Sequence, residues 1–166
     1  MGIFSVPIEH QDNFEVLFRR DEELTAVFHK DSVFLEDGQK SVTLKDLEDV
    51  PLSLSSGCSE IVLKAFAQKS MVPRITCTST TRSTTLEWTR VKAAVSIVPV
   101  EEGEDLGEEF VARPISDITA DVYKTVVKVK DRPLSVAAQH FLKFYSKTRN
   151  SQQVCDLDAI LKSSNL

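Results

Sequence analysis

Hydrophobic and polar residues near the beginning of the chain alternate with the period of a β-strand. Residues 14–20, FEVLFRR, and 23–29, ELTAVFH, combine this alternation with Phe, Val and Thr, which are typical of strands. The polar pair Asp21 and Glu22 separates them. The pattern predicts two strands with a break at this pair.

The next apolar run leads directly into a helix. In PLSLSSGCSEIVLKAF, residues 51–66, a short strand at 52–55 is followed from Ser56 or Gly57 by apolar positions with the 3.6 period of a helix. We expect this helix to end near Ser70. Before the strand, Thr43 is expected to cap one helical turn.

A second strand and helix follow in the same order. RITCTST predicts a strand at 74–80, TTLEWTRVKAA predicts a helix at 84–94, and VSIVPV predicts a strand at 95–100. Leu86, Arg90 and Val91 share one side of this predicted helix, with Trp88 near the margin of that side.

The last third of the chain predicts two strands and two helices. The strands are EFVARPI and YKTVVKVK, and VCDLDAILK predicts a C-terminal helix. Between them, PLSVAAQHFLKFYSK predicts a docked helix. The predicted packed face of this helix consists of Val136, Ala137, His140, Phe141, Phe144 and Tyr145.

Alternating strands and helices favour an α/β fold with a parallel-rich open sheet. In such sheets, ligands bind at the carboxyl ends of strands. Three strand ends are therefore candidate sites, namely Leu54–Ser59, Thr78–Ser83 and the region around Val6 and Pro7.

Composition narrows the classes of function. The 166 residues carry a formal charge of −5 without a block of Lys or Arg, which argues against DNA binding by this chain alone. The first residues do not resemble a signal peptide and no long apolar run follows, so we expect a cytoplasmic protein without a membrane partner. Cys58, Cys77 and Cys155 are widely separated, which fits reduced thiols and predicts no metal site or cofactor.

The bend SSGCSE has two functional interpretations. Cys58 at a helix start could be a nucleophile, but the three histidines are distant in sequence and no signature of a thiol enzyme surrounds it. The helix start itself offers free amide groups beside the hydroxyls of Ser55 and Ser56, with Gly57 in the first turn. This arrangement suits a carboxylate or another small anion, although Ser55 or Ser56 could simply cap the helix.

The segment TSTTRST repeats this arrangement at the next strand-to-helix junction. Thr78 and Thr80 can donate and accept hydrogen bonds, and Arg82 can pair with an acid. A merely solvated turn is the alternative. Two hydroxyl-rich helix starts at one cleft predict a binding site for a small anion.

The order of these segments resembles the effector-binding domain of LysR-type transcriptional regulators. The resemblance runs from residue 2 to about 147 and rests on GIFSVP, VLFRRDEELTAVFHKDS, VTLKDLEDVPLSLS, VKAAVSIVPV and the closing ARPISDITADVYKTVVKVKDRPLSVAAQHFLKFYSK. It implies the two-lobed, type II fold of periplasmic binding proteins. The first lobe would be incomplete, comprising residues 1–29 and 118–150, the second would comprise 30–117, and 151–166 would be a helical extension.

The resemblance also implies partners for the protein, and the chain departs from the family pattern at two nearby positions. Regulators of this family bind a small-molecule effector, form homodimers or tetramers at full length, and contact DNA through a helix-turn-helix that this chain lacks. At the positions of Ala94 and Ser96 the family generally has glycine. Because glycine past a helix end serves a left-handed backbone, Ala94 predicts either a differently closed turn or local strain.

These observations predict a ligand-sensing regulatory domain without catalytic residues. The ligand would be a small anionic metabolite bound between the two lobes. A solute-binding protein of a transporter shares the fold and is one alternative, and a thiol or hydrolase-type enzyme that uses Cys58 is another.

Overall fold

A computed structural model describes residues 1–5, 11–34, 38–148 and 152–153. The chain divides into two compact units. The first unit comprises Met1–Asp21 and Tyr123–Leu166, and the second comprises Glu22–Val122. The lobe boundaries expected from the sequence, at 29/30 and 117/118, remain a prediction.

The described residues form eight strands and three α-helices. In chain order they are β1 (Gly2–Ser5), β2 (Phe14–His29), β3 (Pro51–Ser55), α1 (Ser56–Gln68), β4 (Arg74–Ser79), α2 (Arg82–Arg90), β5 (Val95–Val100), β6 (Phe110–Pro114), β7 (Val122–Val129), α3 (Val136–Thr148) and β8 (Gln152–Gln153).

Strand β2 is continuous, so the predicted break at Asp21 and Glu22 was wrong. Its first part pairs with the short strand β8 in the first unit, and its second part pairs with β5 and β6 in the second unit. Polar side chains alone do not interrupt a strand, because strand pairing uses the backbone donors and acceptors.

The first unit packs α3 against a small antiparallel sheet. Strand β1 pairs with β7, which lies next to β2. The rings of Phe18 and Tyr145 meet edge to face with centroids 5.4 Å apart. The core consists of Leu17, Phe18, Val126, Leu134 and Leu142, with Ala138, Phe141 and Tyr145 packed against it.

The predicted inward face of α3 is only partly correct. Phe141 and Tyr145 pack on the core, but Val136 and Phe144 are 68% and 67% exposed. Apolar residues occur on both sides of this helix, so the sequence period could not show which side is buried. The predicted C-terminal helix at 154–162 lies outside the described residues.

The second unit contains a mixed sheet with a parallel centre. Strands β4, β3 and β5 are parallel, and β2 pairs antiparallel with β5 and with β6. The order along the sheet is therefore β6, β2, β5, β3 and β4. This confirms the predicted α/β sheet and adds two antiparallel strands to it.

Helices α1 and α2 cover this sheet in different ways. Because the chain moves from β3 to β4 and then back across to β5, right-handed crossovers place the two helices on opposite faces of the sheet. Helix α1 buries Cys58, Val62 and Phe66, whereas α2 buries Thr85 and Thr89. The side predicted from Leu86, Arg90 and Val91 is only partly correct: Leu86 packs against the core cluster of Val27, Val98 and Val100, whereas Val91 is 68% exposed.

The segment before β3 is held by its backbone and by two carboxylates. Residues 44–49 form successive turns rather than a helix, but Thr43 caps them as predicted, since the N–H of Asp46 donates to Thr43 Oγ1 at 3.4 Å. The backbone N–H and hydroxyl of Thr43 both donate to Asp46 Oδ2 at 2.8 Å. Asp117 accepts a hydrogen bond from the N–H of Leu44 at 2.9 Å and pairs with Lys69, just past α1.

Helix α2 ends in a turn that does not need glycine at position 94. The residue with positive φ is Lys92, at 60°, and the N–H groups of Ala93 and Ala94 both donate to the carbonyl of Trp88. The left-handed step thus falls two residues earlier. Of the two outcomes predicted for Ala94, the differently closed turn is the one found.

Candidate ligand-binding site

The carboxyl end of β3 is a topological switch point. From β3, α1 leads to β4 on one side, and the chain then returns through α2 to β5 on the other side. In open α/β sheets the crevice at such a reversal is where ligands bind. Ser55, which ends β3, and Ser56 and Gly57, which begin α1, lie at this point.

The two predicted helix starts lie at one edge of the sheet. Ser55 and Ser79 are register partners in the parallel pair of β3 and β4. Both residues are buried, and the hydroxyl of each contacts a cysteine thiol, Cys58 at 3.1 Å and Cys77 at 3.6 Å. Ser79 lies within the predicted segment Thr78–Ser83, at the carboxyl end of β4.

The start of α1 lacks a side-chain cap. Ser55 is the N-cap residue with extended φ and ψ, yet within the described part of the chain its side chain makes no capping hydrogen bond. Its hydroxyl lies against the thiol of Cys58 instead. Ser56 and Gly57 are exposed, and the hydroxyl of Ser59 donates to the carbonyl of Ser56 at 2.9 Å. The first amide groups of α1 therefore remain available to water or to an anion.

The start of α2 is capped by its own side chain. The Thr84 N–H donates to Thr81 Oγ1 at 3.2 Å, and the hydroxyls of Ser83 and Thr84 lie 3.1 and 2.8 Å from the same oxygen. The cap satisfies one of the donors that a ligand would otherwise use. Of the two helix starts, α1 is thus the more open to an anion.

The remaining predicted residues lie around the start of α2 or outside the described chain. Thr78 and Thr80 are exposed. The guanidinium of Arg82 donates to the carboxylate of Glu104 at 3.1 Å. Arg82 was predicted to pair with an acidic ligand, but it already has an acidic partner within the chain. Val6 and Pro7 lie outside the described residues.

Cys58 is a structural thiol in this environment. It is fully buried, and its Sγ also lies 3.5 Å from the carbonyl of Ser55 and 3.4 Å from that of Ile97. Burial raises its pKa, and the hydrogen bonds from Ser55 only partly oppose the effect. Because the thiolate is the nucleophile, this environment disfavours covalent chemistry at Cys58.

A network of buried hydroxyl groups lies beneath α2. Thr89 Oγ1 lies 2.6 Å from Ser96 Oγ and donates to the Val27 carbonyl at 3.2 Å, while Ser96 donates to the Thr85 carbonyl at 2.8 Å. Ser53 completes the network with a longer contact to the same Thr85 carbonyl at 3.5 Å. These bonds attach α2 to β2, β3 and β5.

The described residues hold neither a metal-binding cluster nor a membrane-spanning helix. They contain no group of three or more His, Cys, Asp and Glu side chains placed to hold a metal ion. None of the helices in the described ranges is long and apolar enough to cross a membrane.

Comparison with known proteins identifies the family. The model of the LysR substrate binding domain family matches residues 1–149. The chain is a LysR substrate-binding domain. This domain family is regulatory and not enzymatic. A comparison with curated protein sequences gives no match.

Solved structures share the fold of this LysR domain. One is the effector-binding domain of QuiR in complex with shikimate, with 19% identity, a TM-score of 0.65, and 89% of this chain and 72% of that chain covered. Another is the regulatory domain of CcmR from Synechocystis PCC6803 in complex with 2-PG, with 18% identity, a TM-score of 0.61, and coverage of 89% and 73%.

The fold also matches full-length regulators. For CbnR, a LysR family transcriptional regulator, the identity is 19%, the TM-score is 0.63, and the match covers 88% of this chain and 51% of that chain. The LysR domain thus spans about half the length of such regulators. Their effector-binding domains have the type II periplasmic-binding-protein-like fold, as predicted.

Proposed function

We propose that this LysR domain senses a small anionic molecule and is the regulatory part of a transcriptional regulator. Family membership supports a regulator over the transporter-associated solute-binding protein that shares the fold. The QuiR and CcmR domains, both described in complex with a small molecule, support the sensing of a ligand.

The proposal that the ligand is an anion rests on the start of α1, which has no side-chain cap and lies at the switch point of the sheet. A helix N-terminus with free amide groups attracts an anion through hydrogen bonds and the helix dipole. Ser55, Ser56 and Gly57 would form the centre of this site. Thr78, Thr80 and Arg82 at the second helix start, and Val6 and Pro7, complete the proposed set.

The chemistry is binding without turnover. A ligand that prefers one conformation of the regulator by about 5.5 kcal/mol shifts a two-state equilibrium from 1:99 to 99:1. Smaller differences give graded responses. We further propose a cytoplasmic location, a homodimer or tetramer at full length, and DNA contact through a helix-turn-helix outside this chain.

The test is thermal unfolding of the chain with small carboxylates. Succinate, benzoate and pyruvate serve as probes, with the corresponding amides as neutral controls. A carboxylate at 100 times its Kd should stabilise the folded state by about 2.7 kcal/mol, whereas the matched amide should not. Failure of every carboxylate to stabilise the chain would contradict the anion-binding proposal.

Two variants at one position locate the site. Gly57→Asp places a carboxylate in the first turn of α1, where it complements the helix dipole and competes with the ligand. Gly57→Asn has nearly the same shape without the charge. We expect Gly57→Asp to abolish the stabilisation by carboxylates while Gly57→Asn retains most of it. Equal effects of the two variants would place the bound anion elsewhere.

A further inference from the structure

A second concave surface of the LysR domain lies within the second unit. It is a cavity of about 340 Å³, which is in the size range of small-molecule sites. Its walls come from two segments, the part of β2 at Glu22, Glu23 and Leu24 and the stretch 114–120. It contains none of the residues proposed for the anion site.

The backbone around this cavity is tied down on both sides. The Ile115 N–H donates to the Leu24 carbonyl at 2.9 Å, which joins the two walls. On the outer side, the Val42 N–H donates to the Pro114 carbonyl at 3.0 Å, and the Ser116 N–H donates to the Val42 carbonyl at 2.9 Å. Asp117 adds its bonds to Leu44 and Lys69. A ligand would therefore meet a largely preformed surface.

The lining combines apolar surface with acidic charge. Glu22 and Glu23 are the two charged residues of the lining, and both are acids. The other polar side chains there are hydroxyls. Apart from these acids the walls consist of Leu24, Pro114, Ile115, Ser116, Ile118, Thr119 and Ala120.

Strand geometry indicates which acid faces the cavity. Side chains alternate along a strand, so Glu22 and Leu24 share one face of β2 and Glu23 lies on the other. Leu24 and Glu22 both line the cavity and both are buried, at 6% exposure each. Glu23 is exposed and contributes at the rim.

We propose that this cavity binds a small organic cation, an alkylammonium group attached to an apolar body, with Glu22 as its main carboxylate partner. Carboxylates accept charge-assisted hydrogen bonds from ammonium groups, and these are the stronger class of hydrogen bond. The apolar wall favours a hydrocarbon body of matching size. The proposed ligand is therefore opposite in charge to the one proposed for α1.

The test compares three ligands with one carbon skeleton. Cyclohexylmethylammonium, cyclohexylmethanol and cyclohexanecarboxylate are titrated into the full chain and binding is measured by calorimetry. We expect the ammonium to bind at least about tenfold more tightly than the alcohol, as a hydrogen bond to a charged group predicts. Binding of the carboxylate as tight as that of the ammonium would overturn the proposal.

Variants assign the binding to the cavity. Glu22→Gln should weaken ammonium binding by about tenfold, and Glu23→Gln by less, because Glu23 lies at the rim. Glu60→Gln, an exposed acid on α1, is the control and should bind the ammonium like the unchanged chain. A loss with Glu60→Gln equal to that with Glu22→Gln would mean nonspecific charge attraction and overturn the proposal.

A second measurement needs no variant. Ammonium added to the unchanged chain should shift the backbone amide resonances of residues 114–120 more than those of residues 55–58. The reverse pattern would overturn the proposal even if Glu22→Gln fails to fold. Because the carboxylate experiments probe α1, either proposal can fail while the other holds.

Discussion

The starts of α1 and α2 have similar sequences and different chemistry. Each follows a parallel strand that ends in a buried serine, and each is rich in hydroxyl groups. Thr81 accepts the Thr84 N–H and caps α2, whereas Ser55 contacts the thiol of Cys58 and leaves α1 uncapped by a side chain in the described structure. Hydroxyl residues at a helix start thus predict the start itself, but not whether its amide groups are occupied.

The two helices also differ in how they are attached to the sheet. Helix α1 buries Val62 and Phe66, so apolar packing holds it. Helix α2 buries Thr85 and Thr89 and is held by hydrogen bonds to Ser96 and to the Val27 carbonyl. Packing permits small shifts of a helix, whereas hydrogen bonds specify its position more narrowly. Of the two, α1 has the freer start and the less directional attachment.

The largest expected effect comes from exchanging these two kinds of attachment. Thr89→Val removes a buried donor, and Val62→Thr buries a hydroxyl in an apolar contact. Each should lower the free energy of unfolding by about 1–3 kcal/mol, measured by urea denaturation. Thr76→Val, the same chemical change at an exposed position of β4, is the control and should be nearly neutral. A neutral Thr89→Val would show that the hydroxyl network does not hold α2.

A smaller effect separates the two helix starts directly. Thr81→Ala removes a side-chain cap and should destabilise the fold by about 1 kcal/mol. Ser55→Ala removes no capping bond and should cost only about a third of that, since its contact is to a thiol. The midpoints of urea unfolding measure both. Equal losses would mean that Ser55 caps α1 in solution.

The smallest expected effect concerns the far end of α1. Burial opposes ionisation of Asp117, but hydrogen bonds from Lys69 and from the Leu44 N–H outweigh it and lower the pKa of Asp117 below 3.8. The carboxylate therefore contributes stability above pH 3.8, and this contribution is lost as the pH falls through the lowered pKa. Because both side chains are partly exposed, the pair contributes about 0.5–1 kcal/mol.

Asp117→Asn and Lys69→Met test this contribution as a matched pair. Urea midpoints at pH 7 and pH 3 should show that both variants lose stability at pH 7 and differ less from the unchanged chain at pH 3. A loss of the same size at both pH values would mean that the bonds act through packing and not through charge.

Much of the second unit could be predicted from its sequence. The strand before Ser56, the helix after it and the parallel strands that follow were predicted within a few residues, because turn residues and changes of period mark their ends. The family was predicted from the order of these segments and is confirmed. The same pattern also predicted that Ser55 lies at the carboxyl end of β3.

Other features depended on contacts that a period does not encode. Helix α2 turns Thr85 and Thr89 inward because Ser96 and the Val27 carbonyl supply partners, whereas hydrophobicity alone favoured Val91. The thiol contact of Ser55 depends on the rotamer of a side chain already inside the fold. The left-handed residue after α2 is Lys92, whereas the family pattern has its glycine at the position of Ala94.

The hydrogen bond between the Leu44 N–H and Asp117, 73 positions apart in the chain, has a consequence for the order of folding. Strand β2 likewise pairs Thr25 with Pro114. Contacts of such long sequence separation slow folding, because a large loop closes before they form. During synthesis, the antiparallel side of this sheet therefore stays incomplete until the segment around residue 117 has left the ribosome. The helix starts near Ser55 and Thr81 leave the ribosome earlier, before the antiparallel strands of the sheet can pair completely.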